Sequence, residues 1–417
     1  MQSIFKKMVQ LCVVVMTVGT SYPTTVLPYV RPLAVGAGVL AGAFIAWRAW
    51  PKVFGVGFGM PNLHDPYWKY YDDFNPTSKS GGKYGTKESW ELSQEIGRDA
   101  QKVLGYNTYP VIGACAANVN DAKKAILITA EGWPNAPYIW EQSAYEKSGF
   151  VVKGTTSSQL QNYRMVVSNN FRDSELSFRN GIFPLLATAR HFNLGGTFDL
   201  KTIMHLVLKI FKAYPEAPLV FYCHSRGGGV LFRLLYALFE YDAYASEWQA
   251  LGCLKTDAAK ILENIKKGGH VVLAKPAVNR RAVLKNLSET VLTFLPWVNR
   301  FSWLKNIIAT VCVRLALVTL ALTTEYGLWE AEVIDQVEEL VKKGCDLSFV
   351  SVYCAGDDGV VGKSQDARLQ KIAHRVIGSD GVETKNVNLA AGIGSFTIVC
   401  EGHNDNKLVQ SKSKLFA

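Results

Sequence analysis

Several features are missing from this chain, and each absence narrows its function. No two of its eight cysteines form a C-x-x-C pair, and no Cys/His cluster has zinc-site spacing, so a structural zinc module is set aside. No RNA- or DNA-binding motif occurs, which leaves the net charge of +10 to suit an anionic membrane surface or an acidic substrate rather than nucleic acid. There is no internal repeat, so solenoid and propeller architectures are set aside. Charge is also sparse. Only 19% of the 417 residues are charged, against 48% hydrophobic and 12% aromatic, a balance that suits one large or two ordinary cores with some membrane contact. The cysteines are scattered, and Cys223, Cys354 and Cys400 sit in apolar strand-like runs as small buried hydrophobes. That scatter favours a reducing, cytoplasm-type compartment over a disulfide framework.

Neither apolar run near the start reaches the roughly 20 residues of a comfortable membrane span. The first, "MVQLCVVVMTVGT", follows Lys6 and Lys7 as the apolar part of a signal peptide would. The second, Leu33 to Trp47, contains Gly38-x-x-x-Gly42, a spacing that lets helices approach closely in lipid. With Arg48 and Lys52 behind them, the two runs together read as a hairpin anchor over 1–50 with both ends cytoplasmic, although Arg31 in the connection weakens that orientation. A cleaved signal peptide and a buried helical pair are the alternatives. Residues 51–109 read as a linker and extension, rich in Gly, Pro and aromatics in their first half.

From there on, short apolar runs alternate with helical patterns, as in a mostly parallel sheet with helices on both faces. The runs are "AILITAEG", "YRMVVSNN", "APLVFYCHS", "GGHVVLAKPAV", "LSFVSVYCAGDD" and "SFTIVCEGH". Three of them end on reactive residues: Ser225, the Asp357–Asp358 pair and His403. Carboxyl ends of parallel strands share one edge of the sheet, so these residues can converge despite their separation in the chain. A serine hydroxyl needs a base, a histidine serves near neutral pH, and a carboxylate fixes the imidazole tautomer.

The stretch "CHSRGGG" supplies the local geometry. A serine on a sharp strand-to-helix turn requires small residues two before and two after it, here Cys223 and Gly227, and the N–H of Arg226 then points from a helix N-terminus. The chain order Ser…Asp…His is that of α/β-hydrolases. On "CHSRGG", "GDDGVVG" and "EGHND", residues 110–417 resemble that superfamily. The resemblance implies a serine hydrolase of esterase, lipase or thioesterase type that needs no metal and no cofactor. Ser225 is its nucleophile, His403 its base and Asp358 its acid; Val360-Val361 after Asp358 favours that residue over Asp357. Arg226 and Trp133, with Gly132 as the alternative to Trp133, are its oxyanion donors. Cys223 departs from the usual glycine, and Glu131 stands where related enzymes often carry histidine. The double apolar run joined to such a domain also resembles membrane-associated hydrolase-like proteins of chlamydiae, which implies no substrate.

Other residues read more plainly. His224 points away from the serine's face of the strand, as packing or a substrate-side contact. Arg226 offers its side chain to an acidic substrate group or to a salt bridge. His374, in "LQKIAHRVI", lies in a helical pattern. Residues 279–344 are too long for a crossover and read as a helical lid; over 279–322 six Lys/Arg face one acid, Glu289, which suits anionic lipid or a buried cap. The sequence therefore points to a membrane-associated hydrolase of a small-molecule or lipid ester. The rival is a catalytically silent protein of the same fold that binds a membrane or protein partner.

Overall fold

The computed structural model describes residues 75–77, 85–105, 109–130, 132, 162–169, 195–293, 303, 306–311, 313–314, 332–356, 358, 361, 366–386, 389–400, 409, 412 and 415. The expected hairpin over 1–50, and with it Glu131, Trp133, Asp357 and His403, lies outside the described residues.

In chain order the elements are α1 (Lys87–Leu104), β1 (Val111–Gly113), β2 (Ile126–Ala130), β3 (Met165–Ser168), α2 (Thr197–Ala213), β4 (Leu219–His224), α3 (Arg226–Phe239), α4 (Ala245–Ala250), α5 (Lys255–Gly268), β5 (Val271–Ala274), α6 (Arg280–Thr293), α7 (Val333–Lys342), β6 (Leu347–Ala355), α8 (Asp366–Lys371), β7 (Ala373–Ile377), β8 (Glu383–Asn386) and β9 (Ile393–Val399). The strands form one sheet in the order β1-β3-β2-β4-β5-β6-β9-β7-β8. All neighbours are parallel except at the two edges, where β1 runs against β3 and β8 against β7. The α/β expectation holds.

The central strands are continuous apolar runs because both faces are covered. β2 and β4 are buried at every position. Alternation along β4 divides the core. Leu219, Phe221 and Cys223 join the larger cluster, which takes Ile203 and Val207 of α2, Leu231 and Leu235 of α3, Ile261 of α5 and Val337 of α7. Val220 and Tyr222 join a smaller cluster on the other face, closed by Tyr109, Tyr163, Val409 and Leu415. The Tyr163 hydroxyl donates to the Leu415 carbonyl at 2.6 Å, so the end of the chain is tied across that second face.

Local signals explain the helix limits. Thr86 and Ser89 cap α1 reciprocally, at 3.2 and 2.9 Å, and Gly105 closes it at φ 77°. Within 279–344, the described residues include two long helices. α7 belongs to the core layer through Val333, Ile334, Val337 and Leu340. The start of α6 is tied to the start of α7: Glu332 accepts from the Arg280 backbone N–H at 2.8 Å and lies 3.5 Å from the Arg281 guanidinium, and the Ile334 N–H donates to the Val278 carbonyl. His374, expected on a helix, is on β7 instead. The helix ends at Lys371, and the chain then pairs in parallel with β9, so ladder hydrogen bonds override the local pattern.

Candidate active site

β4 ends at His224, and α3 begins at Arg226, leaving Ser225 alone in the turn at φ 50°, ψ −116°. A non-glycine residue at positive φ costs on the order of 1–3 kcal/mol and persists only where its surroundings hold it. Here the grip is visible. The Ser225 N–H donates to the Ala274 carbonyl of β5 at 2.9 Å, and its own carbonyl accepts from Ala277 at 2.9 Å and from Gly229 at 3.2 Å. The loop after β5 therefore clamps the turn from the side. α3 fits against that loop only because it begins with glycines: a Cβ on Gly228 would lie 2.7 Å from the Pro276 Cβ, and one on Gly229 would lie 2.3 Å from the Ala277 carbonyl oxygen. The close approach is to this loop.

Cys223 is fully buried, opposite Ala130 on β2 and Leu273 on β5. Burial pushes its thiol well above the ordinary range, with a backbone hydrogen bond at Ala130 opposing only in part, so the neutral thiol packs and does not attack. The turn position belongs to Ser225, 8% exposed.

The chain leaving β2 runs directly over the serine. A Cβ on Gly132 would lie 3.0 Å from the Ser225 Cβ, 3.1 Å from the His224 Nδ1 and 3.4 Å from the Ser225 Oγ. Gly132 thus leaves no room for a side chain beside the hydroxyl. The amides at the start of α3 have no carbonyl one turn back, which lets them donate to an anion. His224 itself is buried in the β4–β5 pairing, in keeping with a packing role.

Asp358 stands three residues beyond the end of β6, buried, with Oδ1 accepting the Val361 N–H at 2.8 Å. That bond fixes the turn after the strand. β5 alone separates β4 from β6, and β9 lies on the far side of β6. Ser225 and Asp358 therefore occupy one edge of the sheet, at the carboxyl ends of parallel strands. β9 delivers the chain to the same edge at Val399, four residues before His403. The chain thus has a strained serine between a central strand and a helix, an Asp358 turn after a later parallel strand, and an antiparallel strand at each edge.

This is an α/β fold with a mostly parallel sheet, the architecture that the resemblance to α/β-hydrolases implied. No protein-family model matches the chain, and no curated protein sequence does. Among solved structures, the chain is similar to the thioesterase domain from the curacin biosynthetic pathway (11% identity, 74% of this chain and 96% of that one, TM-score 0.36). It is also similar to a peroxisomal α/β-hydrolase of Saccharomyces cerevisiae (10%, 74% and 80%, TM-score 0.36) and to an esterase of Exiguobacterium antarcticum (11%, 73% and 92%, TM-score 0.33).

The packed core also fixes which way Arg226 faces. Its side chain is 2% exposed, and its Nε lies 3.9 Å from Asp199 Oδ2, so the guanidinium turns inward to an ion pair. Asp199 accepts the Gly195 N–H at 2.8 Å, and buried Arg233 donates to the Gly195 carbonyl at 2.9 Å. This internal network anchors the start of α3 to the start of α2. It escaped the sequence reading because Asp199 and Arg233 are single charges in apolar helical patterns, where a charge usually marks the solvent face.

Lys275 escaped too. It is fully buried at φ 51°, immediately after β5. The residue before a proline is ordinarily held in the extended region, so the Lys275-Pro276 pair gave no warning of a left-handed conformation. The six described cysteines are free thiols, and no group of described residues has the composition of a metal site.

Proposed function

We propose that this protein is a membrane-associated serine hydrolase that cleaves an ester or thioester of a small molecule or lipid. Ser225 attacks, His403 acts as base and then acid, and Asp358 orients the histidine. The observation that carries the reading is the strained Ser225 turn with the Gly132 backbone laid against its hydroxyl.

The chemistry follows from those positions. The Ser225 Oγ adds to the carbonyl carbon while its proton passes to His403, and the resulting oxyanion is held by the N–H groups of Arg226 and Trp133. One such donor is worth roughly 10²–10³ in rate. Collapse breaks the bond to the alcohol or thiol, which leaves with the proton from His403. Water then repeats the sequence on the acyl-serine and releases the acid. Asp358 stays ionised throughout and stabilises the imidazolium. Each step is complete with residues of this chain.

Membrane contact draws support from a stripe in the region assigned to the lid. Trp303, Ile307 and Val311, one helical turn apart, are 62%, 54% and 50% exposed. Arg314 follows on the exposed side, in the same cation-rich region. Such a stripe suits a headgroup boundary of anionic lipid. Among the described residues no helix is long and apolar enough to cross a bilayer.

The test is hydrolysis of matched acyl esters, thioesters and amides by the full chain, with and without anionic vesicles. Ester or thioester cleavage is expected to exceed amide cleavage, to rise with vesicles and to vanish in Ser225→Ala. A folded protein that cleaves none of them speaks for the silent, partner-binding alternative.

A further inference from the structure

The helix that leaves the serine begins with Arg226, Gly227, Gly228 and Gly229. Glycine favours helix less than any residue except proline. The turn that is to supply an oxyanion donor is therefore weak by itself, and three of its four residues carry no side chain by which the fold could hold it. On one flank the glycines are pressed against the Pro276–Ala277 loop. Arg226 is the one side chain this turn offers to anything else.

That side chain runs inward. Its Nε lies 3.9 Å from Asp199 Oδ2 at the start of α2, with both residues buried. The same carboxylate oxygen accepts the Gly195 N–H at 2.8 Å. Gly195 in turn lies along α3: a Cβ on it would be 3.6 Å from Val230 Cγ2 and 4.0 Å from Arg226 Cγ, and its carbonyl accepts from Arg233 Nη1 at 2.9 Å. Seven residues separate Arg226 from Arg233, which places them two turns apart on one face of the helix. Asp199 therefore holds α3 at its first residue directly and two turns further on through Gly195. A buried ion pair is costly to break on one side, so this hold is stiff.

We propose that Asp199 is a positioning residue for the oxyanion: it fixes Arg226 by its side chain, and so fixes the Arg226 backbone N–H against the oxygen that becomes negative. The proposal rests on the triad reading above and adds to it a residue of α2. Without the charge on Asp199 the guanidinium loses its anchor, and the glycine-rich turn moves. The donor is then misplaced, while His403 and Asp358 keep their roles. Because Asp199 acts through Arg226, the losses from changing each do not add.

The experiment follows fluorophosphonate modification of Ser225 and hydrolysis of 4-nitrophenyl butyrate by the full chain as wild type, Asp199→Asn, Arg226→Met and the double variant. Turnover is counted per site titrated by the fluorophosphonate. Asp199→Asn keeps an oxygen for the Gly195 N–H and loses only the charge. It is expected to react and to turn over about tenfold more slowly, part of the roughly 10²–10³ that a whole donor supplies, with KM within about twofold and the pH profile of kcat/KM unmoved. Arg226→Met is expected to be as slow, and the double variant no slower. A wild-type kcat per site in Asp199→Asn, even with less folded protein, overturns the proposal. So does a double variant slowed by the product of the two effects, or a shifted pH profile. If Asp199→Asn does not fold, the double variant, which removes both halves of the pair, decides: slow turnover at unchanged KM supports the proposal, and a wild-type rate or an unfolded chain overturns it. A wild type that neither reacts nor hydrolyses the ester overturns the triad reading and this proposal with it, whereas a reactive wild type confines any failure to Asp199.

Discussion

Gly132 sits beside Ser225 with no room for a side chain between them. A methyl group on Gly132 would reach within 3.0 Å of the Ser225 Cβ and 3.4 Å of its Oγ, in a turn already held at positive φ. The site is built from backbone on both sides of the hydroxyl, which leaves it little tolerance for bulk.

Gly132→Ala therefore moves the β2 turn away from the serine by a few tenths of an ångström. The expected result is a loss of about 10²-fold in fluorophosphonate reactivity, the scale of one oxyanion donor, with a melting temperature within a few degrees of wild type. An equal loss of both properties would show the glycine serving only the fold.

Gly229→Ala is expected to damage stability first. Its Cβ would lie 2.3 Å from the carbonyl oxygen of Ala277, the residue whose N–H belongs to the clamp on Ser225. Overpacking of this kind costs about 1–3 kcal/mol. Gly105→Ala is the control: nothing lies within 4 Å, and only φ 77° opposes it, so about 1 kcal/mol is expected. Urea unfolding of the two variants checks the ranking.

Acid sensitivity is expected to arise at the contact of α1 with α2. His205 is 1% exposed, with Nε2 3.0 Å from Asp99 Oδ2, and Lys209 reaches the same oxygen at 2.7 Å. Burial holds the His205 imidazole below its ordinary 6.5, against the pull of Asp99. For Asp99 burial opposes, but the hydrogen bonds from Lys209 and His205 outweigh it and lower the carboxyl. Both folded-state values are depressed, so the unfolded chain binds more protons as pH falls. The contribution of His205 is complete above about pH 6.5 and is lost as pH drops through its lowered value; that of Asp99 is lost further down. His205→Gln is expected to flatten the first part of the decline, by a few degrees of melting temperature, and to leave the second. Melting curves from about pH 7.5 to about pH 4 check it.

The turn at Ser225 was legible because the apolar run of β4 stops there. β4 reads as six buried positions ending at a polar turn, and the turn needs a small neighbour and glycines, all of which the residues show. The strand β1, three residues long, carries too little pattern to see. β8, "ETKN", has no apolar face at all and exists because β7 supplies its hydrogen bonds. The same pairing turned "AHRVI" into a strand. The inward turn of Arg226, the Asp199–Gly195–Arg233 network and the buried Lys275 depend on which distant segments meet, which no local pattern encodes. The anchor, the histidine and Trp133 fall outside the described residues, and their roles stand as proposals.

Whether Ser225 is the nucleophile is decided by treating the full chain with a fluorophosphonate and mapping the adduct by peptide mass spectrometry. The expected result is a single modification on Ser225, absent in Ser225→Ala and slowed by at least about 10³-fold in His403→Ala. A folded wild type that stays unmodified, or one modified at another residue, would refute the serine-hydrolase reading.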